Sequence, residues 1–155
     1  MYGINFIIRT AWLYGKNGYN FVYTMMKLMG KNKSVKVVND QYGSPTWSKD
    51  LAELILHIVK SNSSMFGIYH YSGEGVTTWF GFAEKIYEFA YDKGLISGNC
   101  KFIPCNSNEF PTKAARPHYS ILDKGKVKNT FGVIVPQWEE SLNRFISLVT
   151  KGDIV

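Results

Sequence analysis

Val38-Asn39-Asp40-Gln41-Tyr42-Gly43-Ser44-Pro45-Thr46 is the stretch from which the fold can be read. Gly43 and Pro45 interrupt any regular element, so Gln41 to Thr46 is expected to be a loop. Just before it, Val35-Lys36-Val37-Val38 has the short β-branched run of a strand. Just after it, Ser48 is placed to cap a helix with Leu51, Leu54, Ile55, Ile58 and Val59 along its buried face. Strand, loop and helix in that order make one unit of an α/β protein.

The same alternation continues on both sides. Upstream, Arg9-Thr10-Ala11-Trp12-Leu13-Tyr14-Gly15 follows a short apolar run from Asn5 to Thr10, and Phe6-Ile7-Ile8 suits a strand buried on both faces. Gly15 to Gly18 is turn-rich. A helix is expected from Asn20 to Gly30, with Phe21, Val22, Met25, Met26, Leu28 and Met29 at helical spacing and Gly30 at the stop. The methionines read as core filling. Downstream, Ser61 to Ser64 is a polar connection, and Gly67 to Tyr71 is a strand ending in the Ser72-Gly73-Glu74-Gly75 turn. Thr77 or Thr78 caps a helix to about Lys93 that points Trp79, Phe82, Ala83, Ile86, Phe89 and Ala90 inward. Lys101 to Ile103 is strand-like, and Asn106 to Ser120 has little periodicity. Pro136 suits the first turn of a last helix, which buries Trp138, Leu142, Phe145, Ile146 and Val149. The strands are too few for a complete doubly wound sheet.

Composition narrows the function. In 155 residues, 45% apolar and 15% aromatic side chains suffice for one packed core, so residues 1–155 are expected to form a single unit. No apolar run reaches the roughly 18 residues of a membrane span. The first residues read as a strand rather than a secretory leader, which gives a cytoplasmic expectation. The net charge of +6 suits an anionic partner. Nucleic-acid readers carry a basic stripe; here the basic segments, Lys27 to Lys36 and Lys124 to Lys128, are short, sit beside helix ends and read as solvated faces. Cys100 and Cys105 have no second pair to complete a metal site and read as inert thiols. His57, His70 and His118 are scattered, and His57 is expected to be packed in its helix. No metal ligand is assigned.

Dinucleotide chemistry would need a glycine-rich loop between a strand and a helix. Neither Gly15-Lys16-Asn17-Gly18 nor Gly73-Glu74-Gly75 has that form. Tyr23 and Lys27 have Tyr-x-x-x-Lys spacing, but they sit on a helix after the Arg9–Gly15 signature and read as an accidental match.

Taken in order, the blocks resemble the dTDP-4-dehydrorhamnose reductase family of extended short-chain dehydrogenases. They are Thr10-x-Trp12-x-Tyr14-Gly15, Gly18-x-Asn20-Phe21, Asn39-Asp40-Gln41-x-Gly43-x-Pro45-Thr46 and Gly67-Ile68-Tyr69-His70-x-Ser72-Gly73. A last block, Pro111-Thr112-x-Ala114-x-Arg116-Pro117, runs on to Leu122-Asp123, Phe131-Gly132 and Pro136-x-Trp138. The resemblance implies the last strands of a Rossmann-like sheet plus a small α/β substrate-binding part, a carboxy-terminal half whose dinucleotide-binding half lies elsewhere. It implies reduction of a nucleotide 4-keto sugar by NADPH or NADH. No catalytic residue is expected in this chain, nor cofactor binding by the chain alone.

The resemblance also assigns roles. Trp12 would lay its apolar face on a deoxysugar, and Asn20 and Gln41 would offer amides to phosphate, ribose or base. Arg116 would fork a diphosphate, and Thr10 and Ala11 would lie near the nicotinamide. Plainer readings stand beside these. Trp12 could be a lid on the core, Asn20 a helix cap, Gln41 a turn residue, and Arg116 an ion-pair partner of Glu109 or Asp123. Two function classes follow: the dTDP-sugar-recognising half of a reductase, or a non-catalytic subunit resembling the methionine adenosyltransferase regulatory subunit. For either, the open edge of the Phe6–Arg9 strand would seek the missing half or a second copy of the chain.

Overall fold

A computed structural model of the chain describes residues 4–110 and 116–154. Pro111, Thr112 and Ala114 of the last block lie outside the described residues. Among the described residues eight short strands and five α-helices are interspersed along the chain, as in an α/β protein. The strands are β1 (Phe6–Arg9), β2 (Leu13–Tyr14), β3 (Ser34–Val38), β4 (Tyr42–Gly43), β5 (Thr46–Trp47), β6 (Gly67–His70), β7 (Thr77–Thr78) and β8 (Lys101–Cys105). The helices are α1 (Phe21–Lys31), α2 (Ser48–Lys60), α3 (Trp79–Asp92), α4 (Gly125–Phe131) and α5 (Trp138–Ser147). The strands pair two by two: β1 with β6, β2 with β5 and β3 with β8 in parallel, β4 with β7 antiparallel.

Two apolar clusters hold these pairs. In the larger, Val22, Met25, Met26 and Met29 of α1 meet Phe82, Ala83, Ile86 and Ala90 of α3, together with Trp138, Leu142, Phe145 and Ile146 of α5. Helical spacing puts each set on one stripe, so three helices can share one dry interior. The methionines are core filling, and Trp138 is buried. In the smaller cluster, Leu54 and Ile58 of α2 and Val127 of α4 close over Tyr69 and Tyr71. Cys100 and Cys105 are buried free thiols, and burial pushes both above the ordinary thiol range.

Several expectations change in three dimensions. Helix α1 runs through Gly30 to Lys31 and stops at Asn32, whose side chain donates to the Leu28 carbonyl. Its Leu28 is exposed rather than inward. Ser48 is the first residue of α2 and no cap; Trp47 precedes it with no side-chain bond to the helix. Of the apolar positions of α2 only Leu54 and Ile58 are deeply buried, while Ile55 and Val59 face out. His57 is exposed, with Nε2 3.1 Å from the Phe131 carbonyl. Pro136 stands before α5, whose cap position is Gln137. Of the two threonines, Thr78 caps α3, accepting from the Gly81 N–H at 3.1 Å. The Gln41–Thr46 segment is not wholly loop: it contains β4 and begins β5.

Two further corrections concern charge and burial. Lys124, Lys126 and Lys128 are not a solvated face. Lys124 is buried 3.6 Å from Glu74, Lys128 also pairs with Glu74, and Lys126 lies over the Tyr69 ring and donates to the Ile68 carbonyl at 2.9 Å. Strand β1 is buried on one face only. Phe6 and Ile8 pack into the smaller cluster, while Ile7, with Ile68 beside it in register on β6, stays exposed.

Candidate functional site

The two signatures, whose contacting residues lie more than thirty apart in the sequence, form one unit in space. Thr46, fully buried, donates its hydroxyl to the Ala11 carbonyl at 2.7 Å and its N–H to the Trp12 carbonyl at 3.1 Å. Strands β2 and β5 continue the contact, Leu13 against Thr46 and Tyr14 against Trp47. Behind them the Gly73 N–H donates to the Pro45 carbonyl at 3.2 Å, and the Ser44 hydroxyl to the Gly75 carbonyl at 2.6 Å. These bonds satisfy the polar backbone of a buried, proline-containing turn.

The anchoring leaves Trp12 in an unusual state. Its φ is +48°, a left-handed backbone that costs a non-glycine residue about 1–2 kcal/mol. Packing holds it there. The indole stacks on Trp79 with centroids 3.7 Å apart and planes 11° apart. On Gly43 a Cβ would fall 2.4 Å from Trp12 Cε2, 2.6 Å from Cζ2 and 2.7 Å from Nε1. An atom nearest a ring-fusion carbon sits over the ring rather than at its rim. Because Trp79 covers one face, Gly43 covers the other.

Gln41 is buried beside this stack. Its Oε1 accepts from Trp79 Nε1 at 3.2 Å, and its Nε2 donates to the Ser107 hydroxyl at 3.1 Å. The Ser107 hydroxyl in turn donates to Asp40 at 2.5 Å, and the Ser107 N–H reaches both carboxylate oxygens at 3.0 Å. Those bonds, the hydroxyl's first, hold the Asp40 carboxyl below its ordinary range. Thr78 ties the start of α3 to the same loop by donating to Asn39 Oδ1 at 2.7 Å.

Two connected hollows open around this core and share Gln41, Trp79 and Arg116. One, of about 270 Å³, is mainly apolar, with Phe21, Met25, Val37, Val38 and Phe110 as walls and Lys36 at its border. The other, of about 230 Å³, is lined by Ala11, Trp12, Pro117 and Ser120. Arg116 is brought there because residues 118–120 run beside β4: the Tyr42 N–H donates to the His118 carbonyl at 2.7 Å and the Ser120 N–H to the Tyr42 carbonyl at 2.9 Å. Neither acid weighed as an Arg116 partner takes that role: Glu109 lies 3.6 Å from Lys36, and Asp123 accepts from the Gly125 N–H. A cation, an amide and a flat apolar wall therefore border one cleft, an arrangement suited to an anionic ligand with a ring.

Of the residues expected at a site, Ala11, Trp12, Gln41 and Arg116 line this cleft. Thr10 is exposed at the end of β1 and is not among the lining residues. Asn20 is elsewhere: its Oδ1 caps α1 by accepting from the Tyr23 N–H at 3.2 Å, and its Nδ2 donates to the Gly15 carbonyl at 2.8 Å. The plain reading of Asn20 as a cap is the one the geometry supports. Trp79, Lys36 and Phe110 were missed. Trp79 read as core because its helical stripe is apolar, and only its place directly after the Thr78 cap hinted at a second role. A buried carboxylate, Asp50, is also engaged structurally, by Ser141 at 2.5 Å and Arg144 at 2.7 Å.

Residues 4–151 match the family described as RmlD substrate binding domain. The chain is 36% identical to the dTDP-4-dehydrorhamnose reductase of Sinorhizobium fredii, over 94% of this chain and 51% of that protein. It is 39% identical to the spore coat polysaccharide biosynthesis protein SpsK of Bacillus subtilis, over 90% of this chain and 46% of that protein. Among solved structures, the dTDP-4-dehydrorhamnose reductase of Bacillus anthracis in complex with NADP superposes with a TM-score of 0.85 at 38% identity, covering 96% of this chain and 49% of that one. The chain thus spans about half the length of the relatives it matches.

Proposed function

The chain belongs to the RmlD substrate-binding domain family, and we propose that it is the nucleotide-sugar-recognising, carboxy-terminal part of a dTDP-4-dehydrorhamnose reductase. The reaction would be reduction of dTDP-4-dehydro-L-rhamnose to dTDP-L-rhamnose by NADPH or NADH. The observation that carries the reading is the convergence of Trp12, Gln41 and Arg116, from three distant blocks, on one cleft. Arg116 would take the diphosphate with its guanidinium fork. The apolar hollow walled by Phe21, Met25 and Phe110 fits a flat base. Gln41 keeps one amide N–H and one carbonyl lone pair beyond its bonds to Ser107 and Trp79, enough for one polar ligand contact.

The described residues do not fit a dinucleotide. The turn before α1 is closed by Asn20, which already occupies the Tyr23 N–H. The turn at Gly73 is packed so closely that a Cβ there would lie 2.4 Å from the Pro45 carbonyl. The Tyr23 N–H is taken by Asn20 and the Gly73 N–H by the Pro45 carbonyl, so neither of these donors is left for a pyrophosphate. Hydride and proton would come from groups outside this chain, and its own part is to hold the sugar in line with them.

Calorimetry with dTDP tests the reading. Arg116→Ala is expected to weaken binding about tenfold, as for loss of a charged hydrogen bond. Unchanged affinity removes Arg116 from the site, and no binding by the unmodified chain removes the reading. The 155-residue chain alone is expected to show no NAD(P)H oxidation with the 4-keto sugar, and measurable turnover would refute that.

A further inference from the structure

Resting on the reading of this cleft as the nucleotide-sugar site, we infer that Trp79 is a positioning residue. It locks Trp12 so that the indole meets the ligand through its Nε1–H edge and not through its ring face. Trp12 was expected to lay its face on a deoxysugar, but both faces carry packing contacts. Trp79 lies 3.7 Å away on one side, and Gly43 is packed against the other. What remains for the cleft is the rim of the indole. Among the described residues Trp12 Nε1 has no hydrogen-bond partner, and it is not one of the buried unpartnered polar atoms, which are the Tyr14 and Tyr23 hydroxyls. An indole N–H is a donor only. Its complement is therefore an oxygen acceptor of the ligand, a phosphoryl or sugar oxygen near Arg116, which borders the same hollow.

Trp79 can fix Trp12 because it is itself fixed at both ends. Its backbone opens α3 directly after the Thr78 cap, and β7 is paired with β4, which carries Gly43. Its Nε1 donates to Gln41, and that bond continues through Ser107 to Asp40. The two slabs enclosing Trp12 are thus joined by backbone pairing on one side and a side-chain relay on the other. A left-handed residue persists only when its surroundings hold it, and this enclosure does so. Such a rigid donor recognises an oxygen at a fixed place, whereas an open aromatic face accepts any apolar ring.

Two measurements on the full chain test this. Ring protons of Trp12 that face the Trp79 indole at this distance should resonate upfield of free indole in the unliganded protein, and that shift should be lost in Trp79→Leu. Trp12 ring protons at free-indole positions in the unmodified chain, or an upfield shift that survives Trp79→Leu, overturn the enclosure without any ligand. Titration with dTDP-L-rhamnose then follows the indole proton resonances. The Trp12 Nε1–H signal, assigned by its loss in Trp12→Phe, should move downfield, and Trp12→Phe should bind roughly five- to tenfold more weakly. Trp79→Phe, which keeps an aromatic ring but loses the Gln41 bond, should bind more weakly while its Trp12 signal broadens and shifts less. If the unmodified chain binds but the Trp12 signal stays in place, or Trp12→Phe binds equally well, the edge-donor role is wrong and the site reading survives. If the upfield shift is present but the sugar nucleotide does not bind, the site reading fails and the donor role fails with it.

Discussion

Replacing Gly43 by alanine should destabilise the chain by about 2–4 kcal/mol. The added Cβ would sit 2.4 Å from Trp12 Cε2, whereas ordinary contacts begin near 3.4 Å, so the ring would have to retreat about 1 Å. It has nowhere to go. Trp79 is stacked 3.7 Å behind it, and a shift of that size would put the two rings in overlap unless Trp79 moved too. Moving Trp79 breaks its 3.2 Å bond to Gln41. Overpacking of a filled interior costs about 1–3 kcal/mol, and a lost hydrogen bond adds about 1 kcal/mol. Gly30→Ala is the matched control: it lies inside α1, a Cβ there meets nothing within 4 Å, and alanine in a helix should stabilise by about 0.5–1 kcal/mol. Urea denaturation followed by tryptophan fluorescence measures both. A Gly43→Ala midpoint equal to that of the unmodified chain would show that the Trp12 enclosure is loose and that its rigidity plays no part in the site.

Glu74 supplies a pH dependence. Its hydrogen bond to Lys128, with the nearby Lys124, lowers its carboxyl from the ordinary range. A carboxyl lowered in the folded state stabilises above its unfolded value and loses that contribution as pH falls through the folded one. Thermal melting should therefore drop on acidification below about pH 4.5, and Glu74→Gln should flatten that limb; an identical acid profile would refute the assignment. The open edge of β1 supplies another. Gly67 and Tyr71 donate to Asn5 and Arg9, so the alternation of the strand turns the Phe6 and Ile8 amides away from β6. Unpaired strand edges associate, and with Ile7 and Ile68 exposed alongside, self-association is expected in place of pairing with a separate amino-terminal half. A stable monomer in sedimentation at high micromolar concentration, with the Ile8 amide exchanging rapidly, would rule that out.

The sequence by itself determined the longer elements and their order, β1, α1, β3, α2, β6, α3, β8 and α5, because apolar spacing and breaker residues act locally; the two-residue strands β2, β4, β5 and β7 and the short helix α4 were not legible in it. The stripe Val22, Met25, Met26, Met29 could only be one face of a helix, and Gly43 with Pro45 could only break one. Resemblance of ordered blocks also supplied the family and pointed to Trp12, Gln41 and Arg116 as neighbours. Tertiary structure decided what spacing cannot encode. Ser48 looked like a cap, but β5 runs straight into α2 and leaves it inside the helix. The lysines from Lys124 to Lys128 looked solvated because their partners, Glu74, Tyr69 and Ile68, lie fifty or more residues away. Trp12 looked like an open aromatic face; only the pairing of β4 with β7 brings Gly43 and Trp79 together around it. A side chain's chemistry is set by its composition, but which of its surfaces remains available is set by what the rest of the chain packs against it.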